Sequence, residues 1–328
     1  MTTKSTFKLT SAAIAAAFFV AACGGGGGGG SSTAATPATP ASSPSTSTNL
    51  TSPQYTADSI QLAAFNFLNQ QRQQCGFNAL QENLVQDQAA QAHSDYIKTN
   101  GGTVTDTEVS TNAGFTGVNY SDRATHFGYP QTSPSGGVSG AFYTNATWTS
   151  AQYGQQLVNG FLSGVYHVGV VLAPVTTVGI GVSQTTFSGF PEIFTAMSFS
   201  NLQPMTANAP LTFPCQGTTG VAYKAAGEIP APPNTAGAWG TPVLVAGNPG
   251  DVIALQSGTM TDGNGNVISL QLLSAATDPN KEIPAYEAVA YPSAPLTANT
   301  TYTVALTGTV NGTAFSRSFT FTTGNTVA

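Results

Sequence analysis

Apolar residues recur at helical spacing in the first half of this chain and at strand spacing in the second. Ile60, Ala64, Phe67, Leu68, Gln71 and Cys75 repeat with a period near 3.6, and Gly76 supplies a stop, which predicts a helix ending near residue 75. Leu84, Ala89, Ala92 and Tyr96 predict a second helix from near Leu84 to Thr99, ended by Asn100-Gly101. Ser121 is placed to cap a short helix over Asp122 to Phe127, closed by Gly128. Leu157, Val158, Phe161 and Leu162 predict a helix over about 150–163. The period then drops to two, and Val178 to Val182 and Ile193 to Phe199 read as strands.

The last third carries only strand signals. Pro230-Ala231-Pro232-Pro233 punctuates a boundary, and Tyr302, Val304 and Leu306 then alternate with Thr301, Thr303 and Ala305. Asn311-Gly312 is the strongest turn signal, because this pair accepts the positive φ angles of a type I′ hairpin. Phe315, Phe319 and Phe321 follow on one face. Leu296 to Tyr302 resembles the tyrosine corner of immunoglobulin-like sandwiches, in which the phenol bonds back to the backbone.

The ends add a location. Lys4 and Lys8 precede an apolar run from Leu9 to Ala22, shorter than the roughly 20 residues of a membrane span, so residues 1–22 read as an export leader. Val20-Ala21-Ala22-Cys23 resembles the lipobox of bacterial lipoproteins, which implies lipid on Cys23 and membrane attachment through it. Residues 23–53, with seven consecutive glycines and then Ser, Thr, Ala and Pro, are too poor in apolar surface to fold and form a tether reaching roughly 30 Å. Gly24 is not aspartate, which by resemblance to Gram-negative sorting favours the outer membrane, on its periplasmic or cell-surface side.

Removing Lys4 and Lys8 changes the formal charge from −6 to −8 and leaves six Lys or Arg, with no cluster that could displace counterions from phosphates. Nucleic acid is therefore excluded as a partner. Cys75 and Cys215 remain after Cys23, and in an exported chain they read as one disulfide, with two buried thiols as the alternative.

A family resemblance organises the rest. The Gln88 to Ser94 helix, Phe115-Thr116-Gly117, Asp122-Arg123-Ala124, Gly128-Tyr129, Tyr166-His167 and Val178-Gly179-Ile180-Gly181 come in an order and spacing similar to the bacterial branch of the CAP superfamily (cysteine-rich secretory protein, antigen 5, pathogenesis-related 1). The resemblance implies an α-β-α sandwich over about 54–216, hence an α+β chain. A linker at 217–237 and an immunoglobulin-like β-sandwich over 238–328 complete it. It also implies a cleft with two histidines and two acidic residues. Glu108 and His167 match two of these positions; Asp106 stands where the first histidine belongs, and Ser135-Gly136-Gly137 meets the second acidic position. Tyr166 and His93 would join Asp106, Glu108 and His167 at the cleft, His93 chiefly by ordering helix packing. His126, in the short Arg123–Phe127 helix, is a minor candidate to stand in for the missing imidazole.

Half a tetrad argues against catalysis and against a metal, since zinc needs three or four well-placed donors. The expected role is binding, without a cofactor, of an apolar ligand such as a lipid or sterol, a glycan, or an envelope partner. The alternatives are a hydrolase using His167 and Glu108, and an envelope spacer or adhesion module. No Gly-x-Ser-x-Gly elbow or His-Glu-x-x-His helix occurs. Asp262-Gly263-Asn264-Gly265-Asn266 departs from a calcium loop, with Val267 in place of the sixth-position glycine and Leu273 twelfth.

Overall fold

A computed structural model describes residues 49–328 and the strand Lys8–Ala12; Cys23, the rest of the expected leader and most of the tether lie outside the described residues. Helices and strands are mixed, as expected of an α+β chain. The strands of the first region are β1 (Lys8–Ala12), β2 (Gln81–Glu82), β3 (Gly136–Tyr143), β4 (Val175–Phe187), β5 (Phe190–Leu202) and, from beyond it, β9 (Glu228–Ile229). They form one sheet in the order β2-β4-β5-β3-β1-β9. β1 falls inside the expected leader and runs antiparallel to β3 and parallel to β9.

The helices are α1 (Ile60–Gln74), α2 (Leu84–Thr99), α3 (Tyr120–His126), α4 (Ser150–Ser163) and α5 (His167–Leu172). α1, α2 and α4 fall where the periodicity placed them. α3 starts earlier than expected, because Asn119 caps it in a reciprocal box with Asp122, while the Ser121 hydroxyl donates instead to the Ser135 carbonyl. α5 was not predicted; its six residues are uniformly apolar after His167 and carry no helical period.

Two glycines determine how α2 meets the sheet. Gly179 and Gly181 share one face of β4, since side chains alternate along a strand. A Cβ on Gly179 would lie 2.1 Å from the Gln86 carbonyl carbon, and one on Gly181 would lie 2.2 Å from the Ala90 oxygen. The helix backbone therefore rests directly on the strand. Val178, Ile180 and Val182 point to the opposite face and join Leu68, Phe161 and Val168 of α1, α4 and α5 in the main core. Helices on both faces make an α-β-α sandwich.

α1 is pinned by a group the periodicity did not reveal. The Arg72 side chain is fully buried and donates to the carbonyls of Asn78, Val171, Ala173 and Val175 at 2.7–3.0 Å. Burial lowers its pKa to about 9, so it stays charged at neutral pH. Cys75, one residue past α1, is bonded to Cys215, with their Cα atoms 5.5 Å apart.

The remaining strands are β6 (Leu211–Phe213), β7 (Thr218–Val221), β8 (Ala225–Ala226), β10 (Ala238–Trp239), β11 (Val243–Ala246), β12 (Ile253–Asp262), β13 (Val267–Ser269), β14 (Gln271–Ser274), β15 (Glu287–Tyr291), β16 (Thr301–Val310) and β17 (Thr313–Thr323). They give a sheet β14-β15-β11-β6, a sheet β13-β12-β16-β17-β7 and a small β10-β8 pair. β6 and β7 precede residue 238 yet pair with C-terminal strands, so the two regions interlock at the disulfide. Asn311 and Gly312 take φ of 51° and 79°, and Val310 pairs with Thr313 across the turn. Tyr302, Val304 and Leu306 are buried while Thr301, Thr303 and Ala305 are exposed. The Tyr302 hydroxyl accepts from the Thr297 backbone N–H at 2.9 Å, the bond a tyrosine corner requires. Asp262 to Asn266 is a turn: the Asp262 carboxylate accepts from the backbone N–H groups of Asn264 and Asn266. The two regions share one apolar core, and Trp239, 1 % exposed, donates its indole N–H to the Ser163 carbonyl at the end of α4.

Candidate functional site: two buried networks

The expected cleft residues do come to one region, but as two separate networks. The first is built on α2, the 105–117 loop and α3. His93 points from α2 into the loop, with Nδ1 2.9 Å from Glu108 Oε1 and Nε2 2.8 Å from the Thr105 carbonyl. Glu108 Oε2 accepts from the backbone N–H groups of Thr116 and Gly117 at 2.7 and 3.3 Å. Burial alone would raise the Glu108 carboxyl, but the bonds from His93 and Thr116 and the Arg123 charge hold it below its ordinary value. Burial pulls His93 down, and its bond to Glu108 opposes that shift. Arg123 stacks 4.3 Å above the Tyr120 ring and donates to the carbonyls of Asp106 and Gly117. Glu108 is thus paired with His93, and the expected His167–Glu108 pair does not form.

Asp106 extends the first network. Its Oδ1 accepts from the Tyr120 hydroxyl at 2.6 Å and the Ser139 hydroxyl at 2.8 Å, while Oδ2 is buried without a hydrogen-bond partner among the described residues. Burial raises its pKa, although Tyr120 and the nearby His167 favour the ionised form. The Tyr120 ring reaches this position across Gly137, where a Cβ would sit 2.3 Å from the ring. The glycine found where the resemblance expects acidic chemistry is therefore filled by a tyrosine that holds Asp106.

The second network belongs to His167. Helix α5 has no cap from its own N-terminal residue, leaving its first N–H groups in need of acceptors. Glu228, carried in by β9, supplies them: its carboxylate accepts from the N–H groups of Val165, Tyr166 and His167 at 2.7–3.0 Å and from His167 Nδ1. The negative charge sits at the positive end of the helix, where it is favoured. Tyr166 turns away and donates to Asp278 at 3.0 Å. His167 therefore has an acidic partner, but one drawn from beyond the CAP-like stretch. Only the residue type could have pointed to Glu228, since no spacing relates it to His167.

His93 and His167 are 0 % exposed, and Asp106, Glu108, Tyr166 and Glu228 are at most 6 % exposed. β1 lies against β3 and α5, along the side that carries Ser139 and His167. His126 is exposed at the end of α3 and meets the Phe127 ring edge-on, so it does not replace the missing imidazole. Among the described residues, no group of three or more His, Cys, Asp or Glu could hold a metal ion. None of the helices described is long and apolar enough to cross a membrane.

Glu287 lies beside the second network, its carboxylate against Gly169 of α5. Burial pushes it up to about 8 from 4.5. Between those values the folded chain holds a proton that the unfolded chain has released, so stability falls as pH rises from 4.5 to 8 and stays lower above. Glu287→Gln should stabilise the protein by on the order of 3 kcal/mol at pH 7, at 1.36 kcal/mol per pKa unit, and little at pH 4. Urea midpoints at the two pH values test this; an equal shift at both would mean that the carboxyl is ionised in the fold.

A comparison with curated proteins finds none that matches the chain. Residues 65–198 match the family model described as Cysteine-rich secretory protein family, and with α2, α3, the 105–117 loop and His167 all inside that stretch, it is a CAP domain, followed by a strand-rich C-terminal region.

Proposed function

We propose that this chain is a surface-anchored lipoprotein whose CAP domain binds a partner without turning it over. One observation carries the reading: the two groups that would have to act together, His167 and Glu108, are committed to different buried partners, Glu228 and His93. A general base must reach its substrate within hydrogen-bond distance, and here each imidazole is tied to a carboxylate of its own chain. The side chains of both networks are polar and hydrogen-bonded, which favours a polar partner over a lipid or sterol. Lipid on Cys23 and the 23–53 tether would place the domain at the outer membrane. The C-terminal region is read as an immunoglobulin-like sandwich, supported by the Tyr302 corner, that holds the CAP domain through the Glu228 carboxylate on the backbone N–H groups of Val165, Tyr166 and His167.

Purified from membranes, the protein should enter the detergent phase, and Cys23→Ser should move it to the aqueous phase. Neither p-nitrophenyl esters nor casein should be cleaved faster by the wild type than by His167→Gln. Hydrolysis that His167→Gln loses while its melting temperature is unchanged would overturn the non-catalytic reading and make the chain a hydrolase.

A further inference from the structure

Outside these networks, one face of α4 is unusual. Gln152, Gln155, Gln156 and Asn159 recur at i, i+3, i+4 and i+7, so they form one stripe along the helix, opposite the buried Leu157, Val158 and Phe161. The stripe is the floor of a groove of about 460 Å³, walled by the 144–148 segment on one side and by residues 325–327 on the other. That volume is within the roughly 300–1,000 Å³ of ligand sites.

The lining contains no charged residue. Asn159 is only 9 % exposed, yet among the described residues its amide makes no hydrogen bond and faces the groove. Gln156 is fixed by donating to the Val327 carbonyl at 2.8 Å. Gln155, on the floor, and Asn325, on a wall, are exposed amides. Trp148, half-buried, is held against Tyr153 with ring centroids 5.5 Å apart and contributes an aromatic surface to the rim.

We propose that this groove binds a neutral oligosaccharide. Each amide offers both a donor and an acceptor, matching a hydroxyl that does the same. An indole face takes the apolar C–H side of a sugar ring while its N–H stays available. Without Lys or Arg the groove has nothing to neutralise a phosphate or carboxylate, and without Asp or Glu nothing for a cation. A lipid would bury the Asn159 amide without giving it a hydrogen-bond partner, which is unfavourable. The proposal rests on the binding role above and places the ligand on α4, away from the residues of the two networks.

Only two tryptophans are present, and Trp239 is buried, so external quenching reports Trp148. The membrane-purified protein would be titrated with cellotetraose, maltotetraose and chitotetraose, with polygalacturonate as the charged control. At least one neutral tetrasaccharide should protect Trp148 from acrylamide saturably, and polygalacturonate should not. Gln155→Ala combined with Asn325→Ala, both exposed, should weaken binding on the order of tenfold or more without changing the melting temperature; Asn159→Ala should do the same from the floor. Protection by none of the three sugars, or equal affinity in the double variant, would overturn the site. Mass spectrometry of the bound sugar separates the two readings: an intact tetrasaccharide supports both, and a shortened one keeps the site while overturning the non-catalytic role.

Discussion

Glu228→Ala is expected to lower the unfolding free energy by about 3–5 kcal/mol, the range for removing one partner of a buried charged network. The reason is the number of groups it leaves behind. Three consecutive backbone N–H groups and His167 Nδ1 lose one acceptor, and all of them are buried. Helix α5 loses the charge at its N-terminus as well. Glu228→Gln keeps one acceptor oxygen and should fall between the alanine variant and the wild type. Urea denaturation measures both. A loss below about 0.5 kcal/mol for the alanine variant, as at ordinary surface sites, would mean that water replaces the carboxylate and that the C-terminal region does not hold the CAP histidine in place.

Reduction of Cys75–Cys215 is expected to cost up to about 5 kcal/mol in the chain-entropy model, and at least about 2 kcal/mol if the unfolded chain retains structure. The bridge spans 140 residues, so it removes a very large share of the freedom of the unfolded chain. It also joins the end of α1 to the segment between β6 and β7, both of which pair into the C-terminal sheets. Losing it should therefore loosen the CAP domain and the C-terminal region together. Thermal melts with and without reductant, and of the paired Cys75→Ser, Cys215→Ser variant, test this. Two separate transitions in the reduced protein would show that the bridge couples the regions; one unshifted transition would remove it from the account of stability.

The two effects differ in how far they could be foreseen. The disulfide followed from counting cysteines in a chain read from its sequence as exported. The Glu228 effect did not, because Glu228 lies 61 residues from His167 in a Pro-flanked stretch without a periodic pattern.

Period and punctuation alone determined α1, α2, α4, the Asn311-Gly312 hairpin and the alternation of β16, because these depend on local spacing and on the conformations that Gly and Asn permit. The order of short motifs determined that a CAP domain begins before α2 and contains His167. Which groups pair was left to tertiary structure. His93 chose Glu108 because α2 rests directly on Gly179 and Gly181, close beside the 105–117 loop. Tyr120 reached Asp106 because Gly137 leaves room for its ring. Arg72 found three of its four carbonyls 99 to 103 residues away. A buried charge selects its partner by what folding brings within hydrogen-bond reach in a place that water cannot enter, and such proximity between distant segments leaves no period in the sequence.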